Sequence, residues 1–214
     1  MTLNLESVAA VALRDNLTAA EVAIKAAQDA MDAMVETPTI MPPPPIRRGY
    51  AAPVGNVSRR NDIWPGDWIE VTGYNTVYNY GHHTGADLNL NEPWWDADRH
   101  RPVYSIADGE IYAIRTGVSG WGTVICIRHA DCLSRYAHCE NISKRQGESV
   151  GLRDYLGNIG NASGRWAYHL HFDIARLDAR MLDYPLDWPG RAHNAKERVE
   201  RDYYDPALFL RGAT

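Results

Sequence analysis

The chain lacks any C-x-x-C pair. Its cysteines number three, Cys126, Cys132 and Cys139. An odd count without that spacing excludes a disulfide framework, and free thiols are expected. Phenylalanine is nearly missing, with two residues against twelve tyrosines and seven tryptophans. Aromatics with a polar tip suit partly wet clefts and binding grooves. An excess of basic residues is also missing. The formal net charge of −5 gives no basis for nucleic acid or an anionic membrane as partner. No run is apolar and long enough to cross a bilayer, so membrane insertion is not expected. The opening "MTLNLESVAAVALRDNLTAAE" has no basic n-region, and acidic residues break its apolar part. It does not read as a signal peptide.

What is present falls into three parts: a helical segment over 1–36, a spacer over 37–62 and a β-rich domain over 63–214. Leu5 to Met34 carries apolar stripes at helical spacing, and Thr18 with Glu21 makes a capping box for a second helix. The stripe is mostly alanine, a weak core, so the segment reads as a docking element for a protein partner or for self-association. The spacer contains four consecutive prolines, which stiffen it into an extended form. From Ile63 onward short Val-, Ile-, Tyr- and Trp-rich runs alternate with Gly, Asn and Asp turns. That pattern predicts a mainly β, antiparallel domain. "TVICIRHADCLSRYAH" predicts a hairpin turning at Ala130-Asp131, and "DYYDPALFL" a short closing helix or turn.

The candidate chemistry sits on three β segments. "GHHTGADLNL" places His83 and Asp87 around Gly85, and on an extended backbone these positions face one way. Small Gly85 leaves room for something to approach. An imidazole and a carboxylate are two of the three protein ligands usual for a catalytic zinc. "YHLHFDI" sets His169 and His171 on one strand face with Leu170 on the other. "RYAHC" adds His138. His82 ranks below His83 as a ligand because it faces away in an extended segment. His100 and His129 have no partner pattern and read as structural or surface residues.

The order H-x-G-x-D, "RPVYSIADGEIYAI", "GTVICIRH", "RYAH", "GESVGLRDYLGNIGN", "HLHF" resembles the lysostaphin-type, or LytM-like, zinc endopeptidases. The likeness runs roughly from Tyr74 to Ala175. It implies a groove built from two packed antiparallel sheets, a duplicated-hybrid-motif-like fold. It implies one zinc ion per chain held by His83, Asp87 and His171, with His138 and His169 as catalytic histidines. The activity implied is hydrolysis of peptide cross-links in bacterial peptidoglycan, outside the cytoplasm at the cell wall. With no signal peptide read, the export route is open; a phage-type endolysin is one explanation, a part of a secretion or tail apparatus another. The alternative is a silent or latent wall-binding or hydrolase-activating module on the same scaffold. A carrier domain is disfavoured, because the hairpin tip "RHADCL" lacks the lysine it would need.

Three departures from the family pattern stand out. Cys139 replaces the usual leucine after His138 and is expected in the core. Arg153 stands where glycine is common, which puts the local turn in question. Trp166-Ala167-Tyr168 precedes the histidine pair in place of a Gly-Pro-like approach. Trp166 and Tyr168 either line the substrate groove or pack. Trp94 and Trp95, in "NEPWWDADRH", either stack on substrate or pack. Asn75 or Asn79 could occupy the open zinc position in a latent enzyme.

Overall fold

A computed structural model describes residues 23–26, 49–55, 63–79, 81–177 and 196–212. The chain divides at Pro42/Pro43 into two units. Of the first, the described residues are one exposed helical turn, 23–26. The rest of the expected N-terminal helices and the four prolines lie outside the described residues. No helix among the described residues is long and apolar enough to cross a membrane.

The second unit is mainly β. Its strands in chain order are β1 (Trp68–Thr72), β2 (Val77–Tyr78), β3 (Gly81–His82), β4 (Ala86–Leu90), β5 (Pro102–Tyr104), β6 (Gly109–Val118), β7 (Gly122–Arg128), β8 (Cys132–Glu140), β9 (Ser149–Val150), β10 (Tyr155–Ile159) and β11 (Leu170–Arg176). Helix α1 (Lys196–Asp202), strand β12 (Tyr203–Tyr204) and helix α2 (Pro206–Arg211) close the chain. Ten strands form one antiparallel sheet whose main path runs β1-β4-β11-β8-β7-β6-β9. The pair β5 and β10 branches from β8, β12 branches from β11, and β2 with β3 forms a separate hairpin.

Period-2 alternation decides which side chains go inside. Ala86 and Leu88 of β4, Leu170, Phe172 and Ile174 of β11, Cys132 and Tyr136 of β8, and Ile125 and Ile127 of β7 share the larger core. The opposite face carries a smaller cluster that includes Val124, Cys126, Leu133, Ala137 and Ala175. Each large side chain buried this way stabilises the fold by ~1.5–3 kcal/mol. A slip of one residue would turn all of them outward, so the register is strongly specified.

The expected turn at Ala130-Asp131 is present, with the His129 amide donating to the Cys132 carbonyl at 2.9 Å. The expected closing helix is α2. Asp205 caps it by accepting from the Ala207 and Leu208 amides at 2.9 and 3.1 Å, and Gly212 ends it with φ 72. Such a cap contributes ~1 kcal/mol.

One stretch read as spacer is part of the domain. Ala51, Ala52 and Val54 are buried, and the Ala51 amide donates to the Ile106 carbonyl at 2.8 Å. Arg153 holds this strap down. Its guanidinium donates to the carbonyls of Ala52, Val54 and Gly55 and lies 4.0 Å from the Tyr104 ring centre. Arg153 itself has φ 68, a left-handed conformation that glycine adopts most easily. The turn is therefore kept with arginine, and the side chain supplies contacts a glycine could not.

Candidate metal and catalytic site

Three strands set the site. Asp87 of β4 pairs directly with His171 of β11, and His171 pairs in turn with Ala137 of β8. The row runs across the sheet on the face away from the larger core. His83 is not on the same strand as Asp87. It follows β3, across a corner, and its ring swings back toward the carboxylate. Gly85 makes that corner feasible. A Cβ there would stand 2.5 Å from the Asp173 Cβ and closer still to the Phe172 carbonyl oxygen. What approaches Gly85 is the backbone of β11.

His83 Nε2, Asp87 Oδ1 and His171 Nδ1 converge. The separations are 3.1 Å from His83 to Asp87, 2.9 Å from His171 to Asp87 and 3.0 Å between the two imidazoles. These three residues could hold a metal ion, each offering one ligand atom within 4.8 Å of the others. The outer nitrogens show why it suits a cation. His83 Nδ1 lies 2.8 Å from the Gly85 carbonyl and 3.2 Å from that of Gly73. His171 Nε2 lies 3.1 Å from Asp173 Oδ2. All three outer partners only accept, so the protons belong on the outer nitrogens and both lone pairs point inward, at a carboxylate. Two nitrogens and one oxygen, with no donor between them, are a zinc-type ligand set.

His138 and His169 flank the cluster, their ring centres 4.5 Å apart. The Trp121 carbonyl accepts from both the His138 backbone amide at 2.9 Å and its Nδ1 at 3.2 Å. The Ala167 carbonyl accepts from His169 Nδ1 at 2.9 Å. Each ring thus presents Nε2 to the site, and His169 Nε2 is 3.9 Å from Asp87 Oδ1. The open side is that of Asp87 and His169, with side chains 18% and 14% exposed against 5% for His171.

His138 reaches this face through a bulge. Thr123 pairs with Cys139 while Ile125 pairs with Tyr136, so Ala137 and His138 together oppose one residue of β7. His138 has φ 61, and backbone strain of this kind gathers at functional sites. Regular alternation would have sent His138 into the core beside Tyr136. Cys139 instead takes the core position, as expected for it, and burial raises its thiol pKa.

The electrostatics follow from burial and charge. Burial, then the neighbouring His169 and His171, holds His138 well below the usual imidazole range. Burial also lowers His169, partly opposed by Asp87. Burial alone would raise Asp87, but hydrogen bonds with His171 and His83 outweigh it and keep the carboxyl well down.

The remaining histidines stand apart. His82 Nδ1 faces the Asn75 carbonyl. His100 pairs with Glu140 on the surface. His129 is buried, 2.7 Å from the Ser134 hydroxyl and 2.9 Å from the Asp108 carbonyl. The Asn75 amide donates to Glu200 at 2.9 Å and does not join the cluster. Trp94 and Trp95 are exposed. Trp166 donates from Nε1 to the Gly120 carbonyl at 2.6 Å, next to Trp121. Tyr168 packs partly on the core and stacks edge-on with His100, with Arg99 over its ring.

Sequence reasoning missed four residues of this site. Trp121 lies edge-on to His171, ring centres 4.7 Å apart, and holds His138 through its carbonyl. Asp173, Arg135 and Thr84 lie directly beneath His171, all buried. Alternation was the available signal for Asp173, two places from His171 on the same face.

Comparisons with known proteins identify the family of the chain. The model of Peptidase family M23 matches residues 81–183. The cell division protein DipM of Caulobacter vibrioides is 32% identical over 114 residues, 52% of this chain and 17% of that protein. Lipoprotein NlpD of Yersinia enterocolitica is 30% identical over 77 residues, 36% of this chain and 78% of that one. The chain therefore spans most of one relative and a small part of the other. The antimicrobial peptidase lysostaphin from Staphylococcus simulans superposes with a TM-score of 0.52 at 19% identity, over 78% of this chain and 55% of that chain. At that identity the likeness is one of fold.

Proposed function

The chain belongs to peptidase family M23, and on that premise we propose that it is a zinc-dependent endopeptidase that hydrolyses the peptide cross-links of bacterial peptidoglycan. Its place of action is the cell wall. The observation that carries the reading is the convergence of His83 Nε2, Asp87 Oδ1 and His171 Nδ1, each imidazole anchored from behind by an acceptor. These three atoms would hold one zinc ion. Bound there, zinc would supply Lewis acidity strong enough to make hydrolysis accessible near pH ~7.

The chain's own groups do the rest. His138 and His169, neutral and with Nε2 turned to the site, accept the proton of the attacking water and return it to the leaving amine. In its protonated form either ring donates from Nε2 to the developing oxyanion. The carbonyls of Trp121 and Ala167 hold the Nδ1 protons and keep both rings aimed. Trp166 and Tyr168 form the rim along which the peptide lies, with Trp94 and Trp95 as outer contacts.

The test is mass spectrometry of purified sacculi of several cross-link types after incubation with the zinc-loaded protein, beside a chelated control. New amine ends that need zinc are expected, and their sequence names the bond. Binding to sacculi without new ends from any wall would overturn the reading in favour of a hydrolase-activating or wall-binding module.

A further inference from the structure

Below the proposed zinc ligands lies a charged layer that the reaction does not use. Asp173 and Arg135 are fully buried and stand opposite each other on β11 and β8. Asp173 Oδ2 accepts from Thr84 Oγ1 at 2.9 Å, from Arg135 Nε at 2.9 Å and from an Arg135 terminal nitrogen. The same oxygen meets His171 Nε2 at 3.1 Å. Arg135 is further enclosed by the rings of Trp121 and Tyr203, 4.8 and 5.7 Å from its guanidinium carbon.

Stability does not account for such a pair. Taking two charges out of water is expensive, and a well-packed apolar pair of the same volume is often as stable or more so. Geometry offers another account. An imidazole has two nitrogens and must present the unprotonated one to a metal. A carboxylate behind the other nitrogen fixes the proton there and orients the ring. Asp173 Oδ2 supplies that acceptor, and Arg135 with Thr84 keeps it fixed at the required point. Arg135 also cancels the charge, so the layer orients His171 without adding net negative charge to the site.

We propose that Asp173, clamped by Arg135 and Thr84, is a positioning residue that holds His171 with its proton on Nε2 and its lone pair on Nδ1, aimed at the zinc. The inference rests on the zinc reading above.

Two measurements test it. The first is the long-range 1H–15N spectrum of the histidine side chains in the zinc-loaded wild-type protein. The His171 proton is expected on Nε2 with Nδ1 as the metal-bound nitrogen. The reverse assignment overturns the proposal. The second is zinc affinity by chelator competition for the wild type, for Asp173→Asn and for the double variant Arg135→Met, Asp173→Leu. The double variant exchanges the ion pair for an apolar pair, and a 10–100-fold loss of affinity is expected. Asp173→Asn still offers an oxygen to His171 and is expected to lose less. Affinity equal to wild type in a folded double variant overturns the positioning role and leaves the zinc site intact. Absence of zinc binding by the wild type overturns both. If the double variant does not fold, the wild-type spectrum decides alone.

Discussion

Gly85 and Asp173 lie so close that a Cβ on the glycine would come within 2.8 Å of the Asp173 Cα. The corner carrying His83 and Asp87 is thereby pressed onto β11 behind His171. Gly85→Ala would force the two apart. Overpacking of this kind destabilises by ~1–3 kcal/mol, and the displacement falls on the ligand cluster itself. The expected result is a lowered melting temperature together with weakened zinc binding, read by calorimetry and chelator competition on one sample. A stable variant with unaltered zinc affinity would show that the corner tolerates a shift.

His138→Asn separates the side chain from its backbone. Asparagine tolerates positive φ better than most residues, so the bulge should persist at φ 61. With His138 moving a proton as proposed, its loss is expected to lower turnover by ~10²–10⁴-fold. Zinc stoichiometry should be unchanged, because His138 is outside the three-atom cluster. Turnover on sacculi and metal content by mass spectrometry check both halves. Loss of zinc would make His138 a ligand instead.

Arg153→Gly trades backbone ease for side-chain contacts. The glycine relieves a left-handed arginine, a gain of order 1 kcal/mol. It removes hydrogen bonds to the Ala52, Val54 and Gly55 carbonyls, each contributing ~1 kcal/mol or more from a charged donor. Net destabilisation of ~1–2 kcal/mol is expected, with the strap at 49–55 loosened first. Hydrogen exchange at the Ala51 amide, now bonded to the Ile106 carbonyl, should accelerate ahead of the β7–β8 amides.

Asp98 makes stability depend on pH. It is buried, and nearby backbone amides only partly offset the desolvation of its carboxyl. Burial raises its pKa to about 6, against ~3.9 in an unfolded chain. Between these values the folded state holds more protons than the unfolded one, so this contribution falls as pH rises from ~4 to ~6. Its full cost is present above that window. Asp98→Asn should therefore raise the melting temperature at pH 7 by the equivalent of ~1–3 kcal/mol, and the gain should vanish below pH ~4. Paired melts at the two pH values measure it; a gain that persists in acid would point to another cause.

Strands were legible wherever alternation was regular, as in β11 and the first half of β8, and the Ala130-Asp131 turn and the Asp205-Pro206 helix start carried their own chemical signals. The convergence of His83, Asp87 and His171, with His138 and His169 beside them, was anticipated through ordered motifs. Other features left no local trace. Nothing in Ala137-His138 marks a bulge, because no glycine stands there and histidine adopts positive φ in only a small fraction of cases. Arg153 concealed a left-handed turn by occupying it without glycine. Residues 49–55 read as spacer because a short Ala-Ala-Pro-Val-Gly run has no period, and its burial depends on Arg153, about a hundred residues away in the chain. Asp173 had the right spacing from His171, but only tertiary contact with Arg135 and Thr84 reveals what it faces.

Strand β11 carries His171 and Asp173 on one face and Leu170, Phe172 and Ile174 on the other. Function and core are thus interleaved, residue by residue, along a single ribbon. An error of one position while this strand pairs would exchange them wholesale, leaving no partly competent product. With zinc held as proposed, metal uptake during refolding would report the fraction of molecules in which β11 paired in register.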